Sequence, residues 1–260
     1  MRGAKIPKKG EQEMKGVITE IERFSLKDGP GIRTTVFFKG CNMACSWCHN
    51  PETLSVKPQL MVYPKNCIGC GACVKACKAG ARTIENGILH YDRSVCTGCG
   101  ACAQSCFTGA LVMSGKEMAV EEVMSEVLQD RGYYRNSGGG VTLSGGEVAA
   151  QPEFAVELLK ALKNENISTA IETNLYAPWS VYESLMPFVD LVMFDIKVFD
   201  SSAHKKWTGV CNQRILENAK RIADSGKPYL VRTPVIPGVN DNEEEIGNIA
   251  EYCLLYTSPS

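Results

Sequence analysis

Eleven of the thirteen cysteines fall between Cys41 and Cys106, and their spacing constrains this chain more than any other feature. They form three groups. Cys41-Asn-Met-Ala-Cys45-Ser-Trp-Cys48 reads C-x3-C-x2-C. Cys67-Ile-Gly-Cys70-Gly-Ala-Cys73-Val-Lys-Ala-Cys77 reads C-x2-C-x2-C-x3-C, and Cys96-Thr-Gly-Cys99-Gly-Ala-Cys102-Ala-Gln-Ser-Cys106 repeats it. A secreted disulfide framework would be a shorter chain with scattered cysteines. Tight repeats suit metal ligation in a reducing cytoplasm, which is the expected location.

A cubane [4Fe–4S] cluster needs four ligands for its four irons. The first group offers three thiolates on one loop, so one iron keeps an open position. An open position marks a catalytic rather than a closed structural metal site. A zinc ion with His49 as fourth ligand is the structural alternative, but adjacent Cys48 and His49 would chelate one ion awkwardly. The other two groups follow the bacterial two-cluster ferredoxin pattern, in which the fourth cysteine of each run serves the other cluster. Cys67, Cys70, Cys73 and Cys106 are then expected around one cluster, and Cys96, Cys99, Cys102 and Cys77 around the other. Gly69, Gly71, Gly98 and Gly100 let the backbone wrap closely. Lys78 and Phe107 stand where such runs usually carry proline. Closed clusters cannot bind substrate, so electron relay is their expected work; a structural staple is the alternative.

The rest of the chain reads as a globular α/β protein. Net charge is −1, which points to no nucleic-acid or membrane partner. No apolar run approaches the roughly 20 residues of a membrane span. Residues 1–13 are basic and polar, lack the apolar centre of a secretory signal, and are expected to be a disordered lead; organised sequence begins at Met14. Residues 16–26 read as an extended entry and 34–39 as a short strand. Residues 119–134 have helical spacing. Strands are expected at 141–143, 168–172, 191–196 and 228–236, with helices at 154–162, 179–186, 212–224 and 242–252. That β-α alternation implies parallel strands with crossover helices. It fits a doubly wound sheet or a (β/α) barrel. Polar motifs end the strands: Cys41 the first, Gly145-Gly146-Glu147 the second, Glu172-Thr173-Asn174 the third, Asp195 and Lys197 the fourth, with Arg232 in the fifth. Parallel α/β folds build their sites at these carboxyl ends. Residues 253–260 (CLLYTSPS) resemble a translated sequencing-library adapter, so the genuine chain is expected to be truncated after residue 252.

These cysteine systems, with Asp28-Gly-Pro-Gly-Ile-Arg33, Gly145-Gly-Glu147, Glu172-Thr-Asn, Phe194-Asp-Ile-Lys197, His204-Lys-Lys-Trp-Thr-Gly209 and Arg232-Thr-Pro-Val-Ile-Pro237-Gly, resemble the activating enzymes of glycyl radical enzymes. These form a branch of the radical S-adenosylmethionine (SAM) superfamily. The resemblance covers residues 14–252. It implies an incomplete (β/α)6 barrel, formed by residues 14–59 and 116–252, with a ferredoxin-like domain inserted at residues 60–115. It implies three [4Fe–4S] clusters, with SAM on the open iron at Cys41, Cys45 and Cys48, and Trp47 against its adenine. Gly145, Gly146 and Glu147 would hold the SAM amino group, as suits glycines that allow close approach and a carboxylate that pairs with an ammonium. Glu172, Thr173, Met193 and Asp195 match a monovalent-cation site near the SAM carboxylate. Lys197 and Arg232 match polar residues around SAM, Lys197 being a catalytic candidate, and Asn212 lies in a motif near the same site. Asp28 aligns with a contact to the partner's glycine loop. His204 reads as structural.

The implied reaction is one-electron cleavage of SAM to methionine and a 5′-deoxyadenosyl radical, which takes hydrogen from a glycine of a partner glycyl radical enzyme. The resemblance implies a monomer reduced by a flavodoxin or ferredoxin. Val148 to Gln151 lean toward activators of choline-cleaving enzymes. Two other readings compete. A radical SAM maturase would act on a small molecule or another peptide, but its auxiliary cysteines would commonly follow the barrel. A simple ferredoxin-like carrier would not account for Cys41, Cys45, Cys48 or Glu147.

Overall fold

The structure, a computed structural model, describes residues 14–86 and 88–255. The expected lead, residues 1–13, lies outside the described residues, as do residues 256–260 of the tail. The chain opens with β1 (Lys15–Ser25) and β2 (Arg33–Phe38). After the first cysteine group come β3 (Gln59–Val62), α1 (Ala72–Ala76), β4 (Arg82–Glu85), β5 (Ile88–Tyr91), α2 (Ala101–Gln104) and β6 (Leu111–Ser114). It returns through β7 (Lys116–Ala119), α3 (Val120–Val127) and α4 (Arg131–Ser137). A regular alternation follows: β8 (Gly140–Gly145), α5 (Pro152–Asn164), β9 (Ser168–Thr173), α6 (Trp179–Leu185), β10 (Leu191–Asp195), α7 (Ser201–Thr208), α8 (Gln213–Asp224), β11 (Tyr229–Arg232) and α9 (Glu243–Leu254). Among the described residues no helix is long and apolar enough to cross a membrane.

One seven-stranded sheet carries the fold, in the order β11-β10-β9-β8-β2-β1-β7. The first five of these run parallel, and β1 and β7 add an antiparallel edge. Strand side chains alternate between faces, and the sequence obeys that period. Val141 and Leu143, Ile171, and Val192 and Phe194 join one buried core with Leu158, Leu159, Tyr182, Leu185, Ile215 and Ile222 of α5, α6 and α8. Each such fully buried aliphatic side chain contributes about 2 kcal/mol. The intervening residues Thr142, Ser144, Glu172, Asp195 and Arg232 lie on the other face and are polar.

Three elements differ from the sequence reading. The helix expected over residues 119–134 breaks after Val127, because Asp130 turns inward. Its carboxylate, 2% exposed, accepts from Thr34 Oγ1 at 2.8 Å and from the Arg23 guanidinium, and Tyr134 donates to Thr34 at 2.5 Å. The last parallel strand stops at Arg232, since Pro234 and Pro237 lack the amide a ladder needs. The helix α7 was not expected. Asp200 caps it, accepting from Ala203 N at 2.7 Å, and Gly209 ends it at φ 86°.

The cysteine-rich insert is a small unit of its own. β3 pairs antiparallel with β6, and β4 with β5, around buried Leu60, Cys73, Cys102 and Leu111. It leaves and rejoins the large sheet at one place: Gln59 and Ser114 are opposed Cα partners, and Lys116 follows two residues later in β7, against β1.

Candidate active site and cysteine cavities

The loop after β2 carries Cys41, Cys45 and Cys48, and it is clamped by backbone from two directions. Gly40 N and Cys41 N donate to Thr53 O and Leu54 O at 2.7 and 3.1 Å. Ala44 N and Ser46 N donate to Thr208 O and Trp207 O, each at 2.9 Å. Those two carbonyls are the last of α7, where four helix carbonyls have no partner of their own. The His-Lys-Lys-Trp-Thr-Gly motif therefore works as a bracket for the cysteine loop. His204 braces it from inside: it is buried, and Nδ1 lies 2.6 Å from Val210 O and 3.0 Å from Thr208 Oγ1. Burial pushes the His204 pKa down.

The three cysteines face a cavity of about 310 Å³ at the carboxyl ends of the parallel strands. Glu147, Glu172, Thr173, Asp195, Lys197 and Arg232 reach the same cavity, as does half-buried Trp47. Burial pushes the Cys41 thiol up to about 11 and raises that of Cys45. Such thiols stay neutral unless a metal draws the proton off, so the donor set suits a bound metal better than a free nucleophile. Among the described residues no three His, Cys, Asp or Glu side chains converge on a point as one metal ion requires. The three cysteines line one cavity, and three thiols on one loop are a donor set that suits an iron–sulfur cluster.

Glu147 is the most deeply placed charge in the cavity, 2% exposed. Oε1 accepts from Thr173 Oγ1 at 2.7 Å and Ala149 N at 3.0 Å, and Oε2 accepts from Asn174 N at 2.7 Å. Burial raises its pKa, opposed by these hydrogen bonds and by the charge of Lys197. No cation of the described chain pairs with it within 4 Å, so the carboxylate is oriented and available to a ligand ammonium. Beyond it the strand ends carry a charged relay. Ser144 Oγ donates to Glu172 at 2.5 Å, Arg232 bridges Glu172 (2.5 Å) and Asp195 (3.3 Å), and Lys197 Nζ donates to Asp195 at 2.6 Å. Burial lowers the Lys197 pKa, but Asp195 and the nearby Cys45 and Cys41 sulfurs outweigh it, and the net direction is up. The monovalent-cation expectation meets an obstacle here, because the carboxylates of Glu172 and Asp195 already hold Arg232 and Lys197.

Gly145 and Gly146 line the cavity and also lie close against the protein itself: a Cβ on Gly146 would lie 2.3 Å from Gly40 O and 2.9 Å from Thr53 O, and one on Gly145 2.4 Å from Phe38 N. They let the end of β8 nest against the root of the cysteine loop. Asn212 is not among the residues lining the cavity. It is buried behind it, donating to Val198 O (3.2 Å) and Phe199 O (2.5 Å). Asp28 is not among the residues lining the cavity; its carboxylate accepts from Ser25 Oγ (2.8 Å) and Thr35 Oγ1 (2.6 Å). Ser144 lines the cavity without having been singled out, and Asn174, named only as the end of the third strand's motif, lines it too. Asn174 Nδ2 lies 3.8 Å from Cys41 Sγ and donates to Asn42 Oδ1 at 2.9 Å. Their signal was position alone, next to Gly145 and after Thr173.

The insert holds two further cavities. Cys67, Cys70, Cys73 and Cys106 line one of about 150 Å³. Cys77, Cys96, Cys99 and Cys102 line the other. The fourth cysteine of each run thus crosses to the other group's cavity.

The chain matches the Radical SAM superfamily over residues 94–250, a 4Fe-4S dicluster domain over residues 66–110 and a 4Fe-4S single cluster domain over residues 27–72. It is 45% identical to the (2S)-3-sulfopropanediol sulfolyase activating enzyme of Bilophila wadsworthia, covering 93% of this chain and 82% of that one. It is 41% identical to the (2S)-3-sulfopropanediol dehydratase activating enzyme of Klebsiella oxytoca, covering 94% and 78%. Identity to the choline trimethylamine-lyase activating enzyme of Oleidesulfovibrio alaskensis is 42%, covering 94% and 80%.

Proposed function

The chain belongs to the radical SAM superfamily, and within it to the activating enzymes of glycyl radical enzymes; from that premise we propose how its residues divide the work. Cys41, Cys45 and Cys48 would hold a [4Fe–4S] cluster beside the SAM site. Bound there, the two would supply the radical chemistry by which hydrogen is taken from a glycine of the partner enzyme. Glu147 holds the SAM ammonium, since it is the one buried, hydrogen-bonded carboxylate in the cavity without a cation of its own. Arg232 and Lys197 present positive charge to the SAM carboxylate, steadied by Glu172, Asp195 and Ser144. Trp47 lies against the adenine. The Asp28 loop meets the partner's glycine segment, and Asn212 keeps the turn after Lys197 in place. No general acid or base is required, so the task of the protein is to position the reacting atoms and exclude water.

The insert is read as residues 60–115 with two further [4Fe–4S] clusters, three in all, supplied with electrons by a flavodoxin or ferredoxin. Residues 14–59 and 116–252 form the incomplete (β/α)6 barrel of a monomer. β11 ends the sheet order among the described strands. Identity is level, between 40% and 45%, across relatives named for activating sulfopropanediol, choline, isethionate, benzylsuccinate and indoleacetate enzymes. The chain carries the machinery they share.

The observation that carries this reading is the meeting of three closely spaced cysteines with the cation-free carboxylate of Glu147 across one cavity. The test is anaerobic incubation of reconstituted protein with SAM, a low-potential reductant and a partner glycyl radical enzyme. A glycyl doublet in electron paramagnetic resonance (EPR), with release of 5′-deoxyadenosine, is expected. Deoxyadenosine without a doublet from any partner class would favour the maturase reading. No change in the cluster signal on adding SAM would sink both.

A further inference from the structure

Between the two cysteine cavities of the insert lies a buried cation. Arg82, the first residue of β4, is 5% exposed. It lines both cavities, and so does Tyr91, its cross-strand partner on β5, whose ring centroid lies 5.3 Å from the guanidinium carbon. Among the described residues no carboxylate pairs with Arg82, and its Nε is buried with no hydrogen-bond partner. A guanidinium is charged at any physiological pH and has five N–H donors. Buried without an anion, it is strongly disfavoured unless something negative stands beside it.

We propose that Arg82 is a tuning residue shared by the two auxiliary clusters, its charge and N–H groups directed at their sulfurs and their potentials raised together by it. This rests on the reading that the insert holds two [4Fe–4S] clusters. The chemistry is one electron per cluster, [4Fe–4S]2+ to [4Fe–4S]+, delivered by a low-potential one-electron donor, with no proton moved and no bond broken. Reduction adds a negative charge, and a positive charge in a low-dielectric interior favours that state. Net charge, hydrogen bonds to sulfur and solvent exposure are the levers that set such potentials. Arg82 acts on the first two at both cavities. Arg93 offers an internal comparison: it also stands over the Tyr91 ring, at 5.7 Å, but is exposed, where water screens its charge.

The test is an EPR-monitored redox titration of the full chain with titanium(III) citrate, beside iron quantitation. The catalytic cluster is told apart by the change in its signal on adding SAM. Arg82→Met should keep its iron, and at a fixed potential the ratio of reduced to oxidised auxiliary clusters should fall about tenfold, which is about 59 mV for one electron. Arg82→Lys, which keeps the charge, should retain most of the wild-type potential, and Arg93→Met should shift little. If Arg82→Met loses iron, Arg82→Gln is titrated in its place with the same expectation. Unchanged potentials in an iron-replete neutral variant would overturn the proposal. So would loss of iron from both neutral variants, which would make Arg82 a structural residue, and so would a shift for Arg93→Met as large as that for Arg82→Met. Wild-type iron near four per chain, rather than about twelve, would instead overturn the two-cluster reading beneath it.

Discussion

The cavity residues divide into those that satisfy one another and one that does not. Glu172, Asp195, Arg232 and Lys197 form a closed set of opposite charges, so a ligand meets them as a preformed surface. Glu147 is different. Its oxygens accept three hydrogen bonds, which fix its direction, and burial works against its charge. On the proposed reading, an ammonium arriving there would relieve a cost already present in the fold. Glu147→Gln removes the charge and turns one acceptor into a donor facing a donor. It should weaken SAM binding by about 1.5–3 kcal/mol, roughly 10- to 100-fold, with iron content unchanged because the side chain makes no hydrogen bond to a cysteine. Equilibrium dialysis of SAM against reconstituted variant and wild type reads this directly. Equal affinities would remove Glu147 from the ammonium site.

At the scale of elements, α7 links distant sequence to the cysteine loop through the carbonyls of Trp207 and Thr208. The sequence did not announce this helix, because its eight residues include two serines and two lysines and carry too few apolar positions for a periodic signal. The cap at Asp200 and the stop at Gly209 were legible, and they are the better predictors for a short helix. The long elements were plain, since α5 and the parallel strands follow the 3.6 and 2 residue periods of their core faces. The break at Asp130 was not, because a charge turned inward follows from a partner on β1 that only the folded chain supplies. Within α7, His204 makes a pH prediction. Its folded pKa is depressed by burial, so below the ordinary imidazole value near 6.5 the unfolded chain takes up a proton that the folded chain refuses. Stability from this group is fully present above that value and is lost as pH falls below it. Denaturant midpoints for wild type should therefore drop more between about pH 7.5 and about pH 5.5 than those of His204→Gln. Parallel curves would remove His204 as the cause.

Across the whole molecule, the cysteine spacing made the two parts legible and left the join between them unwritten. The crossing of Cys77 and Cys106 follows from a repeated pattern. The seam follows from geometry: Gln59 faces Ser114 across a strand pair, and the buried Lys39 donates to Glu52 O and to Gln59 Oε1, the latter at 3.3 Å. Gly115 lies against the Lys39 stem, for a Cβ there would fall 2.4 Å from Lys39 Cδ. The insert thus has its own core and leaves the large sheet by two adjacent strands, a layout that tolerates excision because opposed residues in such a pair stand about 5 Å apart. Replacing residues 60–113 with a two-residue Asn-Gly turn should leave the large sheet folded, with an unchanged strand and helix signature in circular dichroism apart from the lost segment. Iron should fall from about twelve to about four per chain. With a strong chemical reductant the shortened protein should still cleave SAM, because Cys41, Cys45, Cys48 and Glu147 are untouched. With a flavodoxin or ferredoxin as donor it should lose glycyl radical formation if the insert relays electrons, and keep it if the insert only braces the fold. Loss of SAM cleavage under both reductants, in a chain that still binds four irons, would show that the seam itself shapes the catalytic loop through Lys39 and Glu52.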